Sequence, residues 1–383
     1  HRDLHSFPTR RSSDLLGMIH KQQKNLDKAI SYFGIALRED SDNPLYHFRH
    51  AETLWLAGQP VDAALALAMQ HADACGWIYN LAGLVASEQG REDEAASLFR
   101  NAVRCLPDES APVLNLADTL ARFGHLDEAK TLLEAQPESA VFLNALGNVH
   151  AGSNDTDKAL ACYSTALEVA DPKSEVFRDI LFNRASCYAR LDLWSDAQDD
   201  LRRVLAADPD DSRALVLTGD IWNVLGDPVR AELSYLHVLQ TEPENLDTLE
   251  RLGRHYIALG KQKKLATILD AVRKTGEEKL AETLDEAWDK KLYTTLSCAS
   301  CERMWKVPKT IPAFVTPIKL HGELPDDLPA GKCPQCGAYY CVGCAKEHLD
   351  EGRFVCPSCR TRLGAAVAEI RYIFQEWLKK QAK

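Results

Sequence analysis

From Cys298 onward the chain holds four Cys-x-x-Cys pairs: Cys298/Cys301, Cys333/Cys336, Cys341/Cys344 and Cys356/Cys359. Two thiolates three residues apart on a tight turn both reach one tetrahedral Zn²⁺ at about 2.3 Å, and two such pairs close a four-thiolate site. Four pairs predict two structural zinc ions. A redox dithiol comes as one pair beside a strand–helix–strand pattern, which the sequence lacks. Fully sulfur-ligated zinc leaves no position open for water, and no serine elbow, phosphate loop or HExxH motif is present. The expectation is therefore a protein that is not an enzyme. Four further cysteines, Cys75, Cys105, Cys162 and Cys187, stand alone and are expected to be small buried apolar residues. Unbridged pairs with lone cysteines suit a reducing compartment, so a cytoplasmic location is expected.

Four residues separate Cys336 from Cys341, too short a tether for the second and third pairs to enclose one metal. Two schemes satisfy that constraint. Pairs one and three share a metal while two and four share the other, or one joins two and three joins four. The stretch CPQCGAYYCVGC with the closing CPSCR resembles cross-brace modules of the RING and FYVE type, and this resemblance implies the interleaved scheme. So small a module has little apolar core and must draw folding free energy of the order of 10 kcal/mol per site from its metals. Met304, Trp305, Val307, Tyr339, Tyr340, Phe354 and Val355 are expected to make its minicore, with His348 beside the ligands rather than among them. The loop from Pro308 to Pro329 carries five prolines and is expected to be an extended spacer. Beyond it, Leu363, Val367, Ile370, Phe374, Trp377 and Leu378 follow one face of a final helix, with Lys379, Lys380 and Lys383 at its C-terminal end. That helix is expected to pack on the zinc module or on the helical array.

What positions this module is a long internal repeat. Small residues recur at Gly17, Ala51, Gly83, Ala117, Gly147, Ala185, Gly219 and Gly253 in steps of 30 to 38 residues. Twelve residues after each stands Ala29, Ala63, Ala95, Ala129, Ala159, Ala197 or Ala231, the eighth unit departing at Leu265. Four further on comes Phe33, Leu67, Phe99, Leu133, Tyr163, Leu201, Tyr235 or Leu269. Such a period means stacked supersecondary units. Small side chains let two antiparallel helices approach, large ones fill the gap beside the crossing, and Gly90, Gly124, Gly226 and Gly260 fall at the turn.

This pattern resembles the tetratricopeptide repeat (TPR) family. The fold expected is mainly α: a TPR α-solenoid, then a small zinc-stabilised α+β module and a C-terminal amphipathic helix. The expected boundaries are 16–275 for about eight repeats, 276–295 for a capping helix, 296–362 for the two-zinc module and 363–383 for the final helix. Residues 1–15, HRDLHSFPTRRSSDL, resemble a translated sequencing adapter and are set aside. The resemblance implies a groove, lined by the first helix of each unit, that grips a protein or peptide. Trp77, Asn80, Leu84, Asp118, Arg122, Asn144, Asn148, Asn183, Arg190, Arg213 and Arg254 are placed on that face. Asn148, Asn183 and Arg213 match three places of the carboxylate clamp found in some TPR proteins, but Asn144 and Leu217 stand where its cations belong.

The formal charge of −11 is uneven: residues 296–383 carry 13 basic and 9 acidic side chains, so the repeats are strongly acidic. Eight thiolates with two Zn²⁺ bring the C-terminal module near neutrality. Nucleic acid is thus not an expected partner. No run of eighteen apolar residues offers a membrane span. The function expected is a protein-interaction adaptor with the zinc module as a second surface. The alternatives are a RING-like ubiquitin ligase and a membrane-tethered envelope-assembly regulator, since some bacterial TPR proteins end in a metal knuckle.

Overall fold

The computed structural model describes residues 10–311 and 324–381. The first nine adapter-like residues, most of the Pro308–Pro329 arm and Lys383 lie outside the described residues. Arg10–Gln22 forms a helix, so residues 10–15 are part of its first turns rather than separate from the array. Ser13 is buried, and Asp14 pairs with Arg49 of the next unit's first helix. The fold is mainly helical, a TPR-like solenoid followed by a small strand-containing region. Contacts divide the chain into two units, His1–Ile221 and Trp222–Lys383.

In the first unit six hairpins are described: Arg10–Gln22 with Leu26–Glu39, Pro44–Leu56 with Asp62–Ala68, Gly76–Glu88 with Glu92–Cys105, Ser110–Arg122 with Leu126–Glu134, Ala140–Gly152 with Thr156–Val169, and Glu175–Arg190 with Trp194–Ala207. Helix Ser212–Val224 follows. The repeat's small residues mark the crossings. A Cβ on Gly17, Gly83 or Gly147 would lie 2.6, 2.6 or 2.5 Å from a ring carbon of Phe33, Phe99 or Tyr163, all buried. Where the facing residue is the smaller Leu133 or Leu201, the crossing residue is Ala117 or Ala185. Volume is thus conserved across these five crossings, as a close-packed interior requires. Seven residues after the crossing the chain turns left-handed, at Gly90 and Gly124 with φ of 71° and 91°. Lys24, Asn154 and Asp192 hold the same conformation in their units at 57–59°.

The second hairpin departs from the expected register. Its second helix starts eleven residues after Ala51, where the others start nine after their crossing residue. Two residues of delay turn a helix by about 200°, so Ala63 and Leu67 are exposed and Val61, Leu65 and Ala68 face the core instead. The helix is also short and continues as a 3₁₀ segment, Met69–Ala74. Of the lone cysteines only Cys187 is fully buried; Cys75, Cys105 and Cys162 are half-buried.

The second unit begins with the rest of helix Ser212–Val224, helix Pro228–Thr241 and the hairpin Leu246–Leu259 with Gln262–Lys274. Helix Glu278–Leu292 covers that hairpin. Its buried Leu284 comes within 2.9 Å of where a Cβ on Gly253 would stand, so the cap fills this crossing where the repeat predicts Leu269. Strand β1 (Tyr293–Ser297) leaves the cap directly and pairs antiparallel with β2 (Met304–Pro308). Two more antiparallel pairs follow, β3 (Pro329–Lys332) with β4 (Tyr339–Cys341) and β5 (Leu349–Asp350) with β6 (Arg353–Phe354). Trp305 and Val307 point inward on β2, which by strand alternation turns Met304 out; it is 71% exposed and no part of the minicore expected of it. The final helix spans Ala368–Gln381, and its Ile370 and Phe374 join Trp305, Leu328, Tyr340 and Leu363 in the core of the cysteine-rich region. Leu363 precedes the helix, in a segment held by paired backbone hydrogen bonds between Lys332 and Gly364.

Candidate metal centres and groove

The thiols gather into two sets, Cys298/Cys301/Cys341/Cys344 and Cys333/Cys336/Cys356/Cys359, each with its sulfurs within 4.8 Å of one another. This is the interleaved grouping. Local backbone geometry explains why each pair converges. At Cys298, Cys333 and Cys356 the N–H of the residue four on, Glu302, Gly337 or Arg360, donates to the cysteine's own carbonyl at 2.9 Å. The cysteine's N–H donates in turn to the carbonyl of Arg303, Ala338 or Thr361 at 2.7–2.8 Å. Closing so tight a loop requires a left-handed residue, and Glu302, Gly337 and Arg360 have φ of 57°, 76° and 57°. In the remaining pair Cys341 caps the helical turn Val342–Ala345 that carries Cys344, and the Cys344 N–H donates to Cys341 Sγ at 3.4 Å.

The sulfur spacing fits a tetrahedral ion. Four sulfurs at about 2.3 Å from a metal stand about 3.8 Å apart, and Cys301–Cys341 and Cys336–Cys356 are each 3.7 Å apart. Backbone donors are also in place for anionic sulfur: Cys341 N–H to Cys298 Sγ at 3.4 Å, Cys336 N–H to Cys333 Sγ at 3.5 Å and Cys359 N–H to Cys356 Sγ at 3.4 Å. Burial pushes the Cys298 thiol up, but the N–H groups of Cys341, Ser300 and Cys301 outweigh it and hold the thiol at about 7. Cys356, also buried, is brought to about 6 by the Cys359 N–H and the Tyr340 hydroxyl. Its neighbour Cys359 is pushed up to about 12, chiefly by Cys336. Protons are thus shared unevenly within a set, and a metal would displace them all. Each set can hold a metal ion. His348 belongs to neither.

The groove residues fare differently. Within the first unit Trp77 packs against Phe48, ring centres 6.4 Å apart, and Leu84 lies half-buried beside the next hairpin's core. Asn80 is buried and accepts a hydrogen bond from Asn115 at 2.9 Å. Arg122 donates to Ser87 at 3.2 Å and faces Asp118 at 3.9 Å. Asn144 accepts from Asn183 at 3.0 Å, Asn148 accepts from the Tyr163 hydroxyl at 2.7 Å, and Arg190 donates to the Ala151 carbonyl and Asn154. Arg213 pairs with Asp179 and Asp211, and in the second unit Arg254 pairs with Glu250. The three clamp-like residues Asn148, Asn183 and Arg213 thus each have a partner within the protein, with Asn148 and Arg213 still exposed. Between helices Ser110–Arg122 and Ala140–Gly152 lies a recess of about 350 Å³ that brings together Asp118, Asn144 and Asn148. It also includes Asn115, which the sequence reading missed; its place two residues before Ala117 repeats that of Asn183 before Ala185.

Residues 15–75, 86–142 and 182–245 match family models described as tetratricopeptide repeat, so these hairpins are tetratricopeptide repeats. The chain is similar to protein O-mannosyl-transferase TMTC1 of Homo sapiens, 25% identical over 175 residues, covering 43% of this chain and 20% of that protein. It is similar to protein unc-45 homolog B of Xenopus tropicalis, 32% over 120 residues, covering 30% and 13%. Heat shock protein STI1 of Saccharomyces cerevisiae is 30% identical over 108 residues, covering 28% and 18%. The chain spans a fifth or less of the length of these relatives. Among solved structures the human IFIT1 dimer with m7Gppp-AAAA aligns with a TM-score of 0.54 at 16% identity, over 76% of this chain and 73% of that one, a likeness of fold.

Proposed function

We propose that this chain is an adaptor whose TPR face holds an extended protein segment and whose C-terminal module, built on two structural zinc ions, presents a second binding surface. The reading is carried by the recess between helices Ser110–Arg122 and Ala140–Gly152. Asn115 has given its N–H to Asn80 and keeps its carbonyl, whereas Asn144 has accepted from Asn183 and keeps its NH₂. One wall offers an acceptor and the other a donor, the complement of the N–H and C=O of a peptide group. Leu114 and Val149 supply apolar lining, and Asp118 at the rim favours a cationic side chain. The eight cysteines Cys298, Cys301, Cys333, Cys336, Cys341, Cys344, Cys356 and Cys359 are the zinc ligands in this account. No open coordination position remains, so the metals hold the fold and do no chemistry. Among the described residues no helix is long and apolar enough to cross a membrane.

The test is affinity capture with the whole chain, in parallel with an Asn115→Ala/Asn144→Ala variant of unchanged circular dichroism. The account predicts partners that the wild type retains and the variant loses. Identical partners and yields from both proteins would contradict the groove reading.

A further inference from the structure

Strand β4 reaches both thiol sets. Cys341 contributes its sulfur to the first set, and its N–H donates to Cys298 Sγ of that set at 3.4 Å. The preceding residue on the strand, Tyr340, points the opposite way, as alternation dictates, and places its hydroxyl 3.6 Å from Cys356 Sγ of the second set. Tyr340 is 3% exposed and Cys356 is fully buried, so water does not compete for this contact. Among the described residues, no other side chain apart from the cysteines themselves hydrogen-bonds a thiol of either set.

An ionised cysteine has no proton to give, so with a metal bound the phenol must be the donor. Four thiolates around one divalent ion leave a net charge of about −2, and a buried O–H aimed at the fully buried Cys356 opposes that excess. We infer that Tyr340 is a positioning residue of the second metal centre: its O–H···S hydrogen bond orients Cys356 and tightens metal binding at Cys333/Cys336/Cys356/Cys359, a tuning contact absent from Cys298/Cys301/Cys341/Cys344. The inference rests on the zinc reading of the module. It makes the two centres chemically unequal although their ligands are alike.

Tyr340→Phe keeps the ring in the core and removes only the oxygen. Zn²⁺ is titrated into the whole apo-protein against a chromophoric chelator, with the two dissociation constants assigned through a Cys301→Ser variant that disables the first set. Co²⁺ is titrated in parallel for its sulfur-to-metal charge-transfer band. The expected result is a 10–100-fold weaker second site, an unchanged first site, a displaced charge-transfer band for the second Co²⁺ only, and unaltered circular dichroism. Constants within about threefold of wild type and an unmoved band would show the hydroxyl to be idle. Equal loss at both sites with altered circular dichroism would make Tyr340 a packing residue and overturn the inference too. A wild type that takes up no sulfur-ligated metal would remove the zinc reading itself, an outcome visible before any variant is made.

Discussion

The crossing of helices Gly76–Glu88 and Glu92–Cys105 offers a sharp test of how the repeat holds together. A methyl group on Gly83 would stand 2.6 Å from the Phe99 ring, which is fully buried and has nowhere to retreat. Overpacking of this kind costs about 1–3 kcal/mol, and the better helix propensity of alanine returns about 1 kcal/mol. Gly83→Ala alone is therefore expected to destabilise by up to about 2 kcal/mol. Phe99→Leu alone opens a cavity beside the glycine and costs on the order of 2 kcal/mol. Together the two substitutions recreate the Ala117–Leu133 arrangement already present one unit along. The double variant should recover about 1–2 kcal/mol relative to the sum of the single ones. Urea denaturation followed by circular dichroism measures the cycle, with hydrogen exchange of helix Gly76–Glu88 as the local readout. Additivity within about 0.5 kcal/mol would refute the argument that glycine is there to admit the ring.

Asp200 is buried and accepts both the Nε–H and an NH₂ of Arg184 at 2.8 Å, so Asp200→Ala leaves a half-buried guanidinium unpaired and should cost about 3–5 kcal/mol in a thermal melt. In the second unit burial raises the Glu232 carboxyl, but Lys264, Tyr256 and Lys261 outweigh it and hold it at about 2, below its ordinary 4.5. Burial also lowers His255, whose Nδ1 lies 2.6 Å from Asn223. Both folded-state values are depressed, so both contributions are present at neutral pH and are lost on acidification, that of His255 below about 6.5 and that of Glu232 below about 4.5. Stability of the second unit that rises as pH falls from 7 to 4 would contradict this. Lys24 occupies a left-handed turn that costs a side-chain-bearing residue about 1 kcal/mol, so Lys24→Gly should raise the denaturation midpoint slightly. Phe374→Ala should cost about 3–5 kcal/mol in the cysteine-rich region and strip hydrogen-exchange protection from helix Ala368–Gln381.

Much of this fold was legible because its signals are periodic. Gly17, Gly83 and Gly147 recur where helices must cross, and the four Cys-x-x-Cys pairs have the spacing of a metal knuckle. The short tether from Cys336 to Cys341 excluded one pairing, and the cross-brace resemblance favoured the grouping that the sulfurs adopt. What escaped depends on one or two residues of local detail. A two-residue delay before Asp62 turned Ala63 and Leu67 out of the core, although both sit at the right place in the count. Met304 looked like core by composition, but strand alternation left it outside. Lys24 carries no turn signal of its own, and only its place seven residues after Gly17 reveals the left-handed conformation. Asn80 with Asn115 and Asn144 with Asn183 stand at equivalent places in successive units, a recurrence whose meaning as a side-chain hydrogen bond is a tertiary fact, as is the Tyr163 partner of Asn148. Tyr340 was read as core, which it is, but its hydroxyl's aim at Cys356 is a tertiary fact.

X-ray absorption at the zinc edge, with metal content measured on the same purified whole chain, tests the central claim most directly. The account predicts two zinc ions per polypeptide, each with four sulfur neighbours at about 2.3 Å. One equivalent or less, or nitrogen and oxygen in the coordination shell, would contradict it.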